Sequence, residues 1–296
     1  MTQWTDLGLG VLAVSLVRSS DRRERFASRM RSAGIDFNFV DAIDGDDGAA
    51  LRHACVCDPQ REPSLYDHRA APISGREIAC TLSHMKAVRE AHARGFERTL
   101  ICEDDLDISG VTAVEIAKIL DHLPDDAGYL QLCITPERSM RRLAEYYVNT
   151  GQLFARKSAN SAILLEHPYF NGFTFHCTTA YVVTAAGAAL QRRYFEDGKV
   201  VFPCKLETIG TNAGLLADRF VYRAYTDGDI KGYVCCIPTV TYECLDSLIH
   251  PDHLESHLSA KLTALKIRSG IVTRPPMNRV QASVGRGGRD SEPILT

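Results

Sequence analysis

Val11-Leu-Ala-Val-Ser-Leu-Val17 is an apolar run of strand length broken only by Ser15. A strand that reads this way is buried on both faces, which requires helices above and below it and therefore a parallel α/β sheet. The next residues agree. Ser19 and Ser20 offer an N-cap with Asp21 in the first turn, Phe26, Met30 and Ala33 recur on one helical face, and Gly34 closes the helix. Ile35-Asp-Phe-Asn-Phe-Val40 alternates apolar and polar residues, as a second strand does, and ends in Asp41-Ala-Ile-Asp44-Gly45. A strand–helix–strand opening of this kind is a parallel crossover of the nucleotide-binding type. It carries neither G-x-G-x-x-G nor G-x-x-x-x-G-K-[ST], which argues against dinucleotide and Walker-type sites.

The chain has 296 residues, enough for one large domain or two modest ones. A net charge of −3 gives no electrostatic case for nucleic acid as a partner. No stretch approaches the roughly 18 apolar residues of a transmembrane segment, and Met1-Thr-Gln-Trp-Thr-Asp6 does not read as a secretory leader. The ten cysteines are dilute at this length, so the expectation is a cytoplasmic protein with reduced thiols. Cys55-Val-Cys57 after His53, and the adjacent Cys235-Cys236, do not have the spacing of zinc hooks.

Residues 46–73 are polar and proline-punctuated and read as irregular. Ser74-Gly-Arg-Glu77 is a capping box, and Ile78, Leu82 and Met85 share a face of the helix that ends at Gly95. His84 lies beside that stripe, as a boundary residue or as a site residue. The helix leads into Arg98-Thr-Leu-Ile-Cys-Glu-Asp-Asp-Leu-Asp107, where an apolar strand, Thr99 to Cys102, stops at three consecutive carboxylates. Open α/β sheets place their sites at the carboxyl ends of strands. Glu103, Asp104 and Asp105 repel one another unless a cation sits among them, and hard oxygen donors suit Mg²⁺ or Mn²⁺; the alternative is a solvated acidic turn. Alternation along an extended chain would put Glu103 and Asp105 on one side and Asp104 on the other.

Beyond the acids, a helix is expected over 111–120, a strand over 128–134, a long connection without regular structure over 136–160, a strand over 176–184 and a helix over 185–193. Short strands are expected at 200–203 and 232–238. Nothing in the composition divides residues 8–265, which read as one domain. Residues 268–296, with Pro275-Pro276 and Gly285-Arg-Gly-Gly-Arg289, read as a disordered tail or as an arginine-glycine arm.

Five separated stretches, in order, resemble glycosyltransferase family 25, the lipooligosaccharide and collagen galactosyltransferases. Val14-Ser-Leu-Val-Arg18 with Asp21-Arg22-Arg23 resembles the family's I-N-L-x-R-x-x-D-R. Phe39-Val-Asp-Ala-Ile-Asp-Gly45 resembles F-x-A-x-D-G, and Glu77-Ile-Ala-Cys-Thr-Leu-Ser-His84 resembles E-x-G-C-x-x-S-H. Leu100-Ile-Cys-Glu-Asp-Asp-Leu106 resembles I-x-E-D-D, and Thr179 to Ala188 resembles the later A-Y strand–helix.

The resemblance implies a GT-A type, Rossmann-like nucleotide-diphospho-sugar transferase fold in one domain. It implies an inverting, metal-dependent transfer of a hexose, galactose for choice, from a UDP-sugar to an acceptor hydroxyl on a glycan, protein or small molecule. Lipopolysaccharide biosynthesis would be one setting. Glu103 and Asp105 would hold Mn²⁺ or Mg²⁺, and Arg18, Asp44, His84 and Asp104 would line the nucleotide sugar. Arg18 in a surface ion pair and Asp44 as a turn former before Gly45 are the plainer readings. Inversion needs a base for the acceptor proton. Where the family has P-x-D this chain has Pro203-Cys-Lys205, so Glu207 and then Asp218 are the candidates. Lys205 also keeps open a catalytically silent protein that binds a nucleotide sugar or a partner, or a different reaction on the same scaffold.

Overall fold

In the computed structural model, residues 2–54, 74–159, 161–196, 216–218, 221, 224–225, 228–243 and 254–272 are described. The opening crossover is β1 (Leu9–Ser15), α1 (Ser20–Ser32) and β2 (Asn38–Asp41), with β1 and β2 parallel. After a short helix α2 (Gly48–Ala54), α3 (Gly75–Arg94) begins on the expected capping box: the Ser74 hydroxyl accepts from the Glu77 amide, and the Glu77 carboxylate accepts from the Ser74 amide. It delivers the chain to β3 (Arg98–Glu103), which is followed by β4 (Leu106–Asp107), α4 (Ala113–Asp121) and β5 (Ala127–Gln131).

The segment 136–160, expected to be irregular, instead holds α5 (Glu137–Thr150) and β6 (Phe154–Ser158), followed by β7 (Ser161–Leu165). Ser139, Met140, Leu143, Ala144 and Tyr146 are the buried face of α5. Its outer arginines obscure that stripe in the sequence, yet they too are engaged: Arg141 pairs with Glu137 at 2.7 Å, and the Arg142 guanidinium lies 3.4 Å from the centre of the Tyr169 ring. β8 (Ala180–Thr184), α6 (Ala185–Glu196), β9 (Lys231–Cys235), β10 (Thr241–Tyr242) and α7 (Leu254–Val272) follow. The strand expected at 200–203 lies outside the described residues. The domain end drawn at 265 falls within α7, which carries Arg268 onto the Gly110 carbonyl and the Glu115 carboxylate at 3.0 Å.

The main sheet has the order β2-β1-β3-β8-β5-β9-β6-β7. β8 and β6 run against their neighbours, and the remaining strands share one direction. Alternating strand residues build two cores. Val11, Ala13, Leu100, Cys102, Leu130 and Val182 pack on one face with side chains of α1, α4, α5 and α7. Leu12, Val14, Ile101, Tyr129, Tyr181 and Val183 pack on the other with α3 and α6. This is a three-layer, Rossmann-like α/β domain. It follows from the continuous apolar strands, since both faces must be covered.

The α6 layer lies close to the sheet because Gly187 faces Gly128: a Cβ at Gly187 would stand 1.9 Å from the Gly128 carbonyl oxygen. Backbone cannot yield to it as a flexible side chain would. Gly187→Ala is expected to destabilise the domain by about 2–3 kcal/mol, read as a lowered urea midpoint with unchanged m. A midpoint equal to the parent's would contradict this packing.

Candidate active site

β1 lies between β2 and β3, so the chain moves one way across the sheet to β2 and returns to the other side for β3. The carboxyl ends of β1 and β3 therefore flank a point where strand order reverses, the place where open α/β sheets leave a crevice. A cleft of ≈ 170 Å³ opens there, and Ser15, His84, Glu103, Asp104 and Asp105 all line it.

The three acids have different surroundings. β3 ends at Glu103, and residues 104 and 105 form a turn, so strand alternation does not extend to them. Asp104, expected on the opposite side, also faces the cleft, but its carboxylate is already engaged. Its Oδ1 accepts from Arg22 Nε at 2.8 Å and its Oδ2 from the Ser15 hydroxyl at 2.6 Å. Arg29 Nη2 donates to the Asp104 carbonyl at 3.1 Å, and the Glu243 amide donates to the Asp105 carbonyl at 2.6 Å. These contacts from α1, β1 and the end of β10 fix the turn.

Glu103 Oε1 accepts from the Thr178 hydroxyl at 2.7 Å and lies 3.5 Å from His84 Nε2. Burial works against its charged form, but the His84 and Thr178 contacts outweigh burial and hold the carboxyl below the usual range. Asp105 is the opposite case. Loss of water and the adjacent Glu103 charge push its carboxyl well up, although Arg22 approaches to 4.0 Å. Asp105 Oδ1 is buried and has no hydrogen-bond partner. Two carboxylates, one of them with a buried oxygen left over, fit a hard divalent cation. This unsatisfied oxygen is the observation that favours a cation site over a solvated turn.

His84 is fully buried, with Nδ1 3.0 Å from the Tyr181 hydroxyl. Tyr181 continues into a tilted stack with Tyr129 and Tyr225, at centroid separations of 5.1 and 5.5 Å, which braces the base of the cleft. Arg18 and Asp44 stand apart from these residues. They do not line the cleft; they pair with each other, close in sequence to the lining residues Leu16 and Ile43, and Arg18 also reaches Asp46 at 2.9 Å. The Arg18 hydrogen bond holds the Asp44 carboxyl below its ordinary range. The exposed ion pair read from the sequence is therefore present.

Asp218 lies with its Oδ2 3.3 Å from His176 Nδ1, and its Oδ1 is buried without a hydrogen-bond partner. Its charge also acts on the Cys80 thiol, which lines the cleft. Glu207 and Lys205 lie outside the described residues. Sequence reasoning did not single out Ser15, Arg22, Thr178, Tyr242 or His257 as site residues. Arg22 and Ser15 carried a signal, the first in the Asp-Arg-Arg run after the first strand and the second as the polar break within that strand; His257 comes from α7, whose helix was not anticipated.

Near Asp218, Lys157 is buried on β6 and donates to the Phe175 carbonyl at 3.2 Å. Burial lowers its pKa from 10.5 to about 7, against the pull of the Asp218 charge. The unfolded chain therefore binds more protons than the native one between those values, and stability attributable to this group rises with pH across that window. Wild type is expected to gain stability from pH 7 to pH 9 relative to Lys157→Met, measured by denaturant titration at both values. Parallel pH profiles would contradict the depressed value.

Residues 9–198 match the family described as glycosyltransferase family 25 (LPS biosynthesis protein). Among individual proteins, human inactive glycosyltransferase 25 family member 3 is 37% identical over 103 residues, 32% of this chain and 16% of that protein. Human procollagen galactosyltransferase 2 is 26% identical over 114 residues, 38% of this chain and 18% of that protein. Mouse inactive glycosyltransferase 25 family member 3 is 34% identical over 185 residues, 60% of this chain and 28% of that protein. The matches thus span less than a third of these relatives' length. A solved structure of mouse xyloside xylosyltransferase 1, apo form, aligns over 84% of this chain and 80% of that chain at 10% identity, with a TM-score of 0.36.

Proposed function

This chain belongs to glycosyltransferase family 25, and on that premise we propose that it moves a hexose, galactose for choice, from a UDP-sugar to an acceptor hydroxyl with inversion, using a divalent cation. The galactose preference rests on relatives that are themselves procollagen galactosyltransferases. The observation that carries the metal reading is the buried, unpartnered Asp105 Oδ1 beside Glu103 in the cleft.

A cation held by Glu103 and Asp105 would neutralise the charge that develops on the departing diphosphate. The chain's own groups do the rest. Arg22, Ser15 and Asp104 brace the acidic turn that carries Asp105. His84 and Thr178 keep Glu103 ionised and pointed into the cleft. Asp104 thus acts chiefly by positioning, while Arg18 and Asp44 would meet the nucleoside. The proton of the attacking hydroxyl passes to Glu207 or Asp218; Asp218 has one carboxylate oxygen against His176 and a second still unsatisfied.

A second reading has its own support. Relatives that match this chain include proteins named as inactive, and Lys205 stands where the family has an acid. On that reading the cleft binds a nucleotide sugar without turnover. Among the described residues no helix is long and apolar enough to cross a membrane.

Incubation with a panel of nucleotide sugars, with Mn²⁺ or with chelator, separates the two. Saturation at a hundred times Kd adds about 2.7 kcal/mol of stability, a melting shift of several degrees. A manganese-dependent shift with slow release of free UDP supports the transferase. A shift without release under any acceptor supports the silent binder, and no shift with any nucleotide contradicts both.

A further inference from the structure

Cys80 and His84 are four residues apart on α3 and therefore share one face of that helix. The face meets Glu103 at the end of β3, where one ligand atom from each of the three residues lies within 4.8 Å of the other two. His84 is 0% exposed, its Nε2 has no hydrogen-bond partner, and that nitrogen is 3.5 Å from Glu103 Oε1. Its Nδ1 is 3.0 Å from the Tyr181 hydroxyl, the kind of outer contact that fixes which ring nitrogen faces a metal.

A tetrahedral zinc ion, with ligand bonds of about 2.0–2.3 Å, sets neighbouring ligand atoms about 3.3–3.8 Å apart. The His84–Glu103 pair is already at that separation, and Cys80 needs to move by only about 1 Å to join it. Thiolate, imidazole and carboxylate together select zinc, whereas manganese and magnesium favour oxygen alone.

We propose that Cys80, His84 and Glu103 form a zinc site distinct from the carboxylate site for the donor's cation. The site itself stands on this geometry. Its consequence rests on the reading above: Glu103 belongs to both constellations, so zinc removes it from the donor's cation and blocks nucleotide-sugar binding. On binding, the Cys80 S–H bond breaks, its proton goes to solvent and a zinc–sulfur bond forms, with no change in oxidation state.

The test uses the full chain stripped of metal and titrated with Zn²⁺, and separately with Co²⁺ as a spectroscopic substitute. The expected result is one tight equivalent, with a thiolate-to-cobalt charge-transfer band and the intense visible absorption of tetrahedral cobalt. Cys80→Ser removes the charge-transfer band and weakens zinc by more than about 100-fold, since loss of even an outer contact costs about 10–100-fold. In the wild-type chain, zinc also protects Cys80 from alkylation, which needs no variant to fold. Octahedral cobalt without charge transfer overturns the site. So does a band that survives Cys80→Ser, or Cys80 alkylating equally with and without zinc.

Manganese-dependent UDP binding by the zinc-free chain is the separate control. If it is absent while the cobalt spectra are as expected, the donor reading fails and the zinc site stands. If UDP binds with manganese and one equivalent of zinc leaves that binding unchanged, the blocking role is overturned.

Discussion

Asp105→Asn is expected to weaken manganese-dependent UDP binding by more than about 100-fold, or at least about 2.7 kcal/mol, while the domain stays folded. The fold survives because Asn keeps the size of the side chain and removes a charge held against Glu103, whose repulsion already pushes the Asp105 carboxyl up. The affinity is lost because the amide cannot supply the anionic oxygen that Asp105 Oδ1 leaves unpaired in the cleft. Calorimetric titration of UDP with Mn²⁺ into both proteins measures the difference, and circular dichroism checks the fold. Undiminished UDP affinity in the variant would remove Asp105 from the cation site.

The second large effect is on stability. Arg22 is 16% exposed and Asp104 7% exposed at their side chains, and Arg22 Nε donates to Asp104 Oδ1 at 2.8 Å. Arg22→Ala leaves the Asp104 charge with the Ser15 hydroxyl alone, 4.0 Å of former Arg22–Asp105 contact also gone. Breaking a buried pair from one side costs about 3–5 kcal/mol, which corresponds to a fall of roughly 6–15 °C in melting temperature for a domain of this size. Arg22→Lys is expected to recover only part of that loss, because an ammonium lacks the guanidinium fork. A melting temperature within a degree of the parent for Arg22→Ala would show that the turn does not depend on this pair.

The contrast between these two acids marks what the sequence could and could not convey. Three carboxylates after an apolar strand identify the strand end, because burial of Thr99 to Cys102 and a polar stop are both local. Which acid is spent on structure is not local: Asp104 is taken by an arginine 82 positions earlier and a serine 89 positions earlier. The parallel opening was legible for the same local reason, from the Val11–Val17 run and the alternating strand after it, and the start of α3 was legible from the Ser74 capping box. Helix α5 was not, since Arg138, Arg141 and Arg142 interrupt the stripe formed by Met140, Leu143 and Ala144. The Cys80–His84–Glu103 cluster has no cysteine-hook spacing in the sequence because its third member comes from β3.

On the proposed function, oxygen atoms at the end of β3 hold the cation to which a sugar nucleotide's diphosphate binds. A crystal grown with manganese and UDP tests it directly through the anomalous signal of the metal. The expected result is a manganese peak coordinated by Asp105 and Glu103 and touching the diphosphate. A diphosphate bound elsewhere, or bound in the cleft with these two carboxylates turned to bulk water, would contradict it.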